Sequence, residues 1–481
     1  QNRCSTGCSQ NRCSTGCSKN TYPLEQHLKG TVNLNFRNRI KSRMSKCKGN
    51  YMASVCPSTW VNFRNETNGG AKPFLYKGLL PVDENCPNYA KVINSISKIP
   101  RATTDISQEN RIRLYTGEDR RDDLLVELCR NLPYDLTPDT LIRNVREFSG
   151  SDTFSLIINN FERISDELSA DLGRFIQSFF GAEGMPLGGT EQVVFCGNYN
   201  STAFGIHQGY EDAFLCHFGP GQKDFYCVDA FSYCSLTRSP EPVFCNSDTF
   251  NDVLKIADKY VLEPGDVLFL PAGIYHVGRQ ESFSISIALP LYTYPHSRFL
   301  SHAVLPALSS ADLPFDEEGR SELVSFSSDM DLVRSYSGYA NRTVRSWAES
   351  KISNYISSYW HTLKSNGGWE LQSYSEVISK ESSASSERFE ELKLGSLVTL
   401  HPPFLISIKR SGSDSDATPE VYYSSNCLKT RVDIELAETI SQKLNNDQHF
   451  VIKTNEELKF IEELSQLGKI EVKCYNAEAS I

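Results

Sequence analysis

The chain has 481 residues, of which 39% are hydrophobic and 22% are charged. This length allows roughly two to four domains and a large buried core. The 49 Lys and Arg residues against 59 Asp and Glu residues give a formal net charge of −10. Because phosphate binding needs a clustered excess of positive charge, this balance argues against an extended nucleic-acid surface, and we expect no nucleic acid as partner.

The sequence gives no sign of a membrane or secreted protein. No apolar run approaches the length of a membrane-spanning helix, and the first residues lack the charged, apolar and small-residue order of a secretory signal. The 15 cysteines are dispersed, and Cys196, Cys216 and Cys227 fall in or near predicted strands, as is typical of buried, reduced thiols. The simplest interpretation is a cytoplasmic protein without a membrane partner.

Residues 1–18 are a perfect duplication of QNRCSTGCS. Because small polar residues and glycine offer little to bury, we predict a flexible tail. The repeat fits a natural tail, a remnant of cloning or processing, or a substrate-like peptide, since peptide-tailoring enzymes act on short segments rich in Cys, Ser and Thr. Residues 19–70 are basic and irregular, which indicates either a solvated face or a guide for an acidic peptide.

Residues 122–180 change to a helical pattern. Apolar residues recur at spacings of three and four in DDLLVELCRNL, LIRNVREF and ISDELSADLGRFIQSFFG, which predicts three helices. Between the second and third, FSLIINNF is a short apolar run that is compatible with a buried strand. Helices and a strand ahead of the next segment suit a barrel braced by helices.

Two stretches in the middle of the chain carry the residues with chemical potential. Residues 205–223, GIHQGYEDAFLCHFGPGQK, and residues 261–277, VLEPGDVLFLPAGIYHV, alternate as strands do, and Pro-Gly and Pro-Ala-Gly mark turns. His207 and His276 therefore lie near strand ends. On an extended backbone, His207 and residue 209 point to the same face.

The segment after His276 contains FSISIALPLY, whose alternation predicts a further strand. Ser282, Ser284 and Ser286 then share one face. If that face is the barrel interior, their hydroxyls can bind a co-substrate; otherwise they form a polar outer face.

The two stretches resemble the JmjC-type cupin oxygenases, and most closely the ribosomal oxygenase, or ribosomal protein hydroxylase, branch. In that family H-x-D is followed by a Lys or Arg, and then by a segment with PGD, a hydrophobic run, P-x-G and a second His. Here His207 and His276 match the metal ligands, and Lys223 matches the basic residue that grips the far carboxylate of 2-oxoglutarate. Residues 72–78, KPFLYKG, resemble the entry strand of the catalytic domain.

The resemblance implies a mostly β fold with helices, whose core is a double-stranded β-helix (cupin or jelly roll, JmjC-like) braced by helices. The amphipathic run VRSWAESKISNYISSYWHTL matches a segment that mediates dimerisation in this branch, which favours a homodimer, although a helix that packs within one chain fits nearly as well. The predicted parts are a duplicated Cys-containing tail (1–18), a basic irregular segment (19–70), the catalytic domain (71–297), a helical segment with linker (298–390) and a winged-helix-like domain (391–481).

The function implied by the resemblance is Fe(II)- and 2-oxoglutarate-dependent oxidative modification of a peptide or protein side chain. His207 and His276 are the expected iron ligands. For the co-substrate, the resemblance implies contacts from Lys223 and from Asn198, which stands just upstream of His207 where the family often makes polar contacts. Ser284 is the further candidate, from the alternation of the strand after His276.

The departure from the family is Gly209, which stands where an iron oxygenase has its carboxylate ligand. With two histidines and a bidentate 2-oxoglutarate, two of six iron positions stay open instead of one. In halogenating relatives of the wider iron/2-oxoglutarate class, chloride takes the position of the missing carboxylate. A halide would also restore the charge that the carboxylate supplies, so Gly209 suggests halogenation.

Three other interpretations stay open. Water can fill the gap in an ordinary hydroxylase, or Glu211, on the same strand face as residues 207 and 209, can swing its carboxylate into it. Alternatively the site is dead and the fold is kept as a peptide-binding module. Retention of Lys223 argues against the module, because a buried basic residue is costly without an anion beside it.

Overall fold

The structure is a computed structural model, and it describes residues 57–82, 88–97, 99, 112–117, 119–133, 135–293, 345–371, 392–410, 418–446 and 449–473. The duplicated tail (1–18), residues 19–56 of the basic segment, and residues 298–344 and 372–390 of the predicted helical segment with linker lie outside the described residues. Within these ranges, no helix combines the length and the apolar composition that crossing a bilayer requires.

The largest sheet of the described chain has eleven strands, and all their pairings are antiparallel. In chain order they are β1 (Phe74–Tyr76), β2 (Ile112–Thr116), β3 (Asp119–Arg120), β4 (Phe154–Ile158), β5 (Val193–Tyr199), β6 (His207–Gln208), β7 (Asp212–Pro220), β8 (Lys223–Val228), β9 (Asp258–Leu262), β10 (Val267–Leu270) and β11 (Tyr275–Leu291). The main path runs β1-β10-β7-β11-β5-β4-β2-β3, while β6, β8 and β9 form a second wall.

Strand β11 belongs to both walls. Its residues 275–279 pair with β6 and β8, and its residues 284–291 pair with β5 and β7. Between Gln280 and Ser284 the register shifts, as at a β-bulge, which bends a strand and increases its twist. The predicted mostly β fold with a jelly-roll core is confirmed.

Helices cover the outer face of the main path. They are α1 (Phe63–Glu66), α2 (Asn88–Ile96), α3 (Asp122–Asn131), α4 (Pro138–Ser149) and α5 (Asp166–Glu183), with α6 (Ala230–Thr237) and α7 (Asp248–Ile256) beside the second wall. Local signals delimit α4, because the Thr137 side chain accepts from the Thr140 N–H at its start and Gly150 adopts φ 70° at its end. The three helices predicted within residues 122–180 and the buried strand FSLIINNF are thus confirmed.

The main core reaches further towards the N-terminus than the predicted domain boundary at residue 71. Trp60 is buried among the rings of Phe175, Phe179 and Phe214, and its indole N–H donates to Ser178 Oγ at 2.9 Å. Such edge-to-face contacts stabilise beyond the area that they bury. The end of the basic segment therefore packs with α5 and β7 in one core.

The PGD turn ties the entry strand to the barrel. Asp266, only 2% exposed, accepts hydrogen bonds from Gly78 N, Lys77 Nζ and Glu263 N at 2.7–2.8 Å. Gly265 has φ 94°, and a Cβ there would lie 2.8 Å from the Leu80 carbonyl oxygen. The sequence KPFLYKG and the PGD motif are thus two halves of one structural joint.

The C-terminal part has a hydrophobic core of its own. It contains the strands β12 (Leu397–Leu400), β13 (Ser407–Lys409), β14 (Glu420–Tyr423), β15 (Asn426–Lys429), β16 (Phe450–Val451) and β17 (Ile470–Lys473), after the helix α8 (Arg345–Ser365) and together with α9 (Ile434–Asn445) and α10 (Asn455–Leu467). They form two three-stranded sheets, β16-β12-β17 and β13-β14-β15.

Helix α8 contacts the second of these sheets within the chain. His361 Nδ1 lies 2.8 Å from Ser407 Oγ, and Lys409 Nζ donates to Ser358 Oγ at 2.9 Å. The winged-helix-like domain and the homodimer stay predictions.

Candidate active site

Two histidines face each other on neighbouring strands of the second wall. His207 in β6 is the direct partner of His276 in β11, and their ring centroids are 4.6 Å apart. Phe225 stacks on His276 at 5.3 Å, and Phe204 meets the ring of His207 edge-on at 5.4 Å. The strand pairing therefore brings together two side chains that are 69 positions apart in sequence.

Each ring has one nitrogen that is already engaged. His207 Nδ1 lies 3.1 Å from the Gly205 carbonyl oxygen, and His276 Nδ1 lies 3.3 Å from that of Ile274. A carbonyl can only accept, so both Nδ1 atoms carry the proton and both Nε2 atoms keep their lone pairs. A backbone carbonyl on Nδ1 with a free Nε2 is the usual arrangement of metal-binding histidine.

Both rings are neutral at physiological pH. Burial lowers the pKa of His207 below its usual value, and burial together with the neighbouring His207 lowers the pKa of His276 to about 3. Neutral imidazole is the form that binds a metal. The pair thus fits a divalent cation in protonation as well as in geometry.

Gly209 lies against this pair, where a carboxylate ligand is expected. A Cβ on Gly209 would come 3.0 Å from His276 Cε1 and 3.5 Å from its Nδ1. The backbone of Gly209 is not in the left-handed region, so a side chain here requires only that the His276 ring give way by a few tenths of an ångström. The position could therefore accept a larger residue, and in this chain it supplies no ligand.

The structure does not bring Glu211 to the histidines. Strand β6 ends at Gln208, and a bend at Glu211 breaks the alternation that would place residues 207, 209 and 211 on one face. In the described part of the chain, no Cys, Asp or Glu joins the two histidines as a metal-binding group of three. The protein ligands that the described residues offer to a metal are two imidazoles.

Lys223 is buried inside the barrel, with 1% of its surface exposed. Its Nζ donates to Tyr199 Oη at 3.1 Å and to Ser286 Oγ at 3.3 Å, and it lies 5.6 Å from the ring centroids of Phe195 and Tyr199. Among the described residues, no carboxylate acts on this ammonium, whose hydrogen bonds go to hydroxyl groups. Burial lowers the pKa of Lys223 to about 7, as expected for an ammonium without a counter-ion.

This arrangement is a cradle for an anionic group. A buried charge is costly unless it is paired, and the described chain provides only hydroxyl and aromatic neighbours. The carboxylate of a bound molecule would supply the missing charge.

Residues 188–298 match the JmjC domain. The match contains all six residues that the sequence singled out: Asn198, His207, Gly209, Lys223, His276 and Ser284. None of the curated protein sequences matches the chain.

Several solved structures are similar to this chain at low identity. YcfD, a ribosomal oxygenase from Escherichia coli, has 12% identity over 88% of this chain and 99% of its own, with a TM-score of 0.47. YcfD in complex with cobalt and 2-oxoglutarate has 13% identity over 86% and 98%, with a TM-score of 0.45. HEPD from Streptomyces albus, with Fe(II) and 2-hydroxyethylphosphonate, has 15% identity over 26% and 21%, with a TM-score of 0.15. Because these scores are below 0.5, the fold assignment rests on the strand topology and the JmjC match.

Two of the expected co-substrate residues form side-chain hydrogen bonds with groups other than Lys223. The Asn198 side chain donates to the Asp152 carbonyl oxygen at 2.8 Å, on the opposite face of β5 from Tyr199. The Ser284 hydroxyl donates to Gln280 Oε1 at 2.8 Å. Neither side chain is a hydrogen-bond partner of Lys223, whose Nζ donates to Tyr199 and Ser286.

The side chains that form hydrogen bonds with Lys223 Nζ are Tyr199 and Ser286. The alternation of β5 puts Tyr199 on the same face as Phe195, and Ser286 is one of the three serines that alternation predicts on one face of β11. Sequence reasoning missed His217, a fully buried histidine within the apolar alternation of β7. The signal was a single polar residue on the inward face of a buried strand.

Proposed function

We propose that this chain is an Fe(II)- and 2-oxoglutarate-dependent enzyme that oxidatively modifies a peptide or protein side chain. The observation that carries the proposal is the buried, unpaired ammonium of Lys223 in the same barrel as the facing pair His207 and His276. Packing explains neither feature, because an uncompensated charge and two imidazoles with free Nε2 atoms are costly to bury in a core.

His207 and His276 would hold the iron through Nε2, with their orientation fixed by the Nδ1 hydrogen bonds to Gly205 and Ile274. Lys223 would hold the far carboxylate of 2-oxoglutarate, and Tyr199, whose oxygen accepts from Lys223, can direct its own proton to the same carboxylate. When bound, the iron would couple decarboxylation of the co-substrate to oxidation of a substrate C–H bond.

The finer proposal concerns Gly209, and it favours halogenation over hydroxylation. Two neutral imidazoles bring no negative charge to the metal, and no carboxylate among the described residues joins them. Because Gly209 supplies no ligand, an anion such as chloride can take the metal position that a carboxylate fills in the family pattern. Hydroxylation, with water in that place, is the other outcome of the same enzyme.

The same missing ligand favours a second candidate, a peptide-binding module on a degenerate oxygenase fold. In that case the protein would bind a peptide without turning over 2-oxoglutarate. In the enzyme, the molecule whose carboxylate binds Lys223 would also bind the metal; in the binding module it would not.

The experiment is anaerobic titration of Fe(II) and 2-oxoglutarate into the full chain, followed by oxygen with and without chloride. Succinate is quantified, and the protein, its duplicated tail and a supplied peptide library are analysed by mass. We expect succinate formation and replacement of one hydrogen by chlorine. A gain of one oxygen would favour the hydroxylase instead, and absence of both iron binding and succinate would leave the binding module.

The matched variant is Gly209→Asp, which adds the carboxylate that the family pattern has. If chloride takes the place beside Gly209, this variant should still form succinate and should lose chlorination. Chlorination that persists in Gly209→Asp would show that the halide does not occupy that place.

A further inference from the structure

His217 has both ring nitrogens engaged inside the barrel, where its exposure is 0%. Its Nε2 lies 2.7 Å from the Gly221 carbonyl oxygen, and its Nδ1 lies 3.0 Å from Ser286 Oγ. Because the carbonyl can only accept, Nε2 carries the proton and Nδ1 is an acceptor. The proton of the Ser286 hydroxyl must therefore point to His217.

This fixes what Ser286 can offer on its other side. With its proton directed to His217, the Ser286 oxygen presents lone pairs to Lys223, whose Nζ donates to it at 3.3 Å. Tyr199 Oη accepts a second N–H of the ammonium at 3.1 Å. An ammonium has three N–H donors, so one remains for a ligand.

We propose that His217 is a positioning residue for the co-substrate: it orients the Ser286 hydroxyl so that Lys223 is held by two oxygens and directs its remaining N–H at the far carboxylate. The inference rests on the proposed function, because it needs a 2-oxo acid with a second carboxylate. His217 itself touches neither metal nor ligand in this scheme, since both its nitrogens are occupied by protein groups.

A purely structural role is the competing explanation. Gly221 precedes Lys223 by two residues, so the His217–Gly221 hydrogen bond also fastens the turn between β7 and β8. Loss of that fastening would disturb binding of any ligand in the barrel. Loss of the Ser286 orientation would disturb only a ligand that uses Lys223.

The test measures anaerobic binding of two ligands to the Fe(II)-loaded full chain by calorimetry. 2-Oxoglutarate has the far carboxylate, and 2-oxopentanoate has the same chain length without it. We expect His217→Leu to weaken 2-oxoglutarate about tenfold, since misdirecting one charge-assisted hydrogen bond has roughly this effect, and to leave 2-oxopentanoate unchanged. His217→Gln should restore affinity, because its amide can donate to Gly221 and accept from Ser286.

A double-mutant cycle with Ser286→Ala tests whether His217 affects 2-oxoglutarate binding through Ser286. In the Ser286→Ala background, His217→Leu should cause little further loss. Additive losses, equal weakening of both ligands, or unchanged binding in His217→Leu would each overturn the inference. If the wild-type chain fails to bind 2-oxoglutarate at all, the proposed function fails and the inference falls with it.

Should His217→Leu not fold, the wild-type protein gives an independent measurement. Nitrogen-15 chemical shifts of labelled histidine should show His217 as the Nε2–H tautomer, and Ser286→Ala should move the Nδ1 shift. An Nδ1–H tautomer would overturn the inference.

Discussion

Replacement of Lys223 by Met should change the stability of the ligand-free protein and its affinity for 2-oxoglutarate in opposite directions. Burial lowers the folded-state pKa of Lys223 from 10.5 to about 7, a drop that corresponds to about 5 kcal/mol of lost stability for the charged form. This is an upper value, because the barrel can relax around the charge. Lys223→Met removes the cost, and we expect the ligand-free variant to unfold at higher temperature at pH 6–7.

The sign of the pH dependence follows from the same pKa. Between pH 7 and 10.5 the unfolded chain binds the Lys223 proton and the folded chain does not, so the stability of the wild-type protein rises with pH over this window. The difference in unfolding free energy between Lys223→Met and wild type should therefore shrink as pH increases from 7 to 10.5.

Affinity should fall because the ligand carboxylate loses its partner. Truncating one member of a buried hydrogen-bonded charge pair costs about 2–5 kcal/mol, or roughly 30-fold to several thousandfold in Kd. Calorimetry with 2-oxoglutarate and thermal unfolding with and without the ligand measure both effects. Lys255→Met, at an exposed lysine paired with Asp252, is the control and should change neither. A destabilised Lys223→Met protein with normal affinity would refute the assignment of Lys223 as the anion-binding group.

Two further substitutions test the framework. Asp266→Ala should lower the unfolding free energy by about 3 kcal/mol or more, because it leaves Gly78 N and Glu263 N without their buried acceptor; urea unfolding that matches wild type would contradict the joint described here. Burial raises the folded-state pKa of Glu162 from 4.5 to about 7. Between these two pH values the folded chain keeps a proton that the unfolded chain has lost, so the stability of the wild-type protein falls as pH rises. Glu162→Gln should become progressively more stable than wild type from pH 4.5 to 7, whereas a difference independent of pH would contradict it.

The fold was predictable because its signals are local. Alternation in AFLCHF and FSISIALPLY, helical spacing in residues 122–180 and the PGD turn each specify one element, and the order of the elements matches a known pattern. The burial of Trp60 was not predictable in this way. Its ring packs against α5 and β7, which lie more than 100 positions further along the chain. No periodic pattern in residues 57–66 predicts that contact.

The cradle around Lys223 was predictable only in part, because the register of single residues along the strands decides which side chains surround it. Along a strand, adjacent side chains point to opposite faces, so Tyr199 reaches Lys223 while Asn198 faces away. On β11 the alternation places Ser284 and Ser286 on the same face, but the pairing with β7 shifts register between Ile285 and Ser286, which separates the two serines. A bulge of this kind leaves no mark in an alternating sequence.

A count of formal charges connects Gly209 to the cradle. The two imidazoles are neutral, no carboxylate among the described residues acts on Lys223, and none there joins the histidines. With the ammonium charged, a divalent metal would raise the total to plus three, and 2-oxoglutarate would lower it to plus one. In a site with Asp at position 209, the same count ends at zero. Buried charges are costly unless they are paired, so charges in the barrel should compensate one another. Gly209 leaves the site one negative charge short, and a monovalent anion beside His276 would supply that charge.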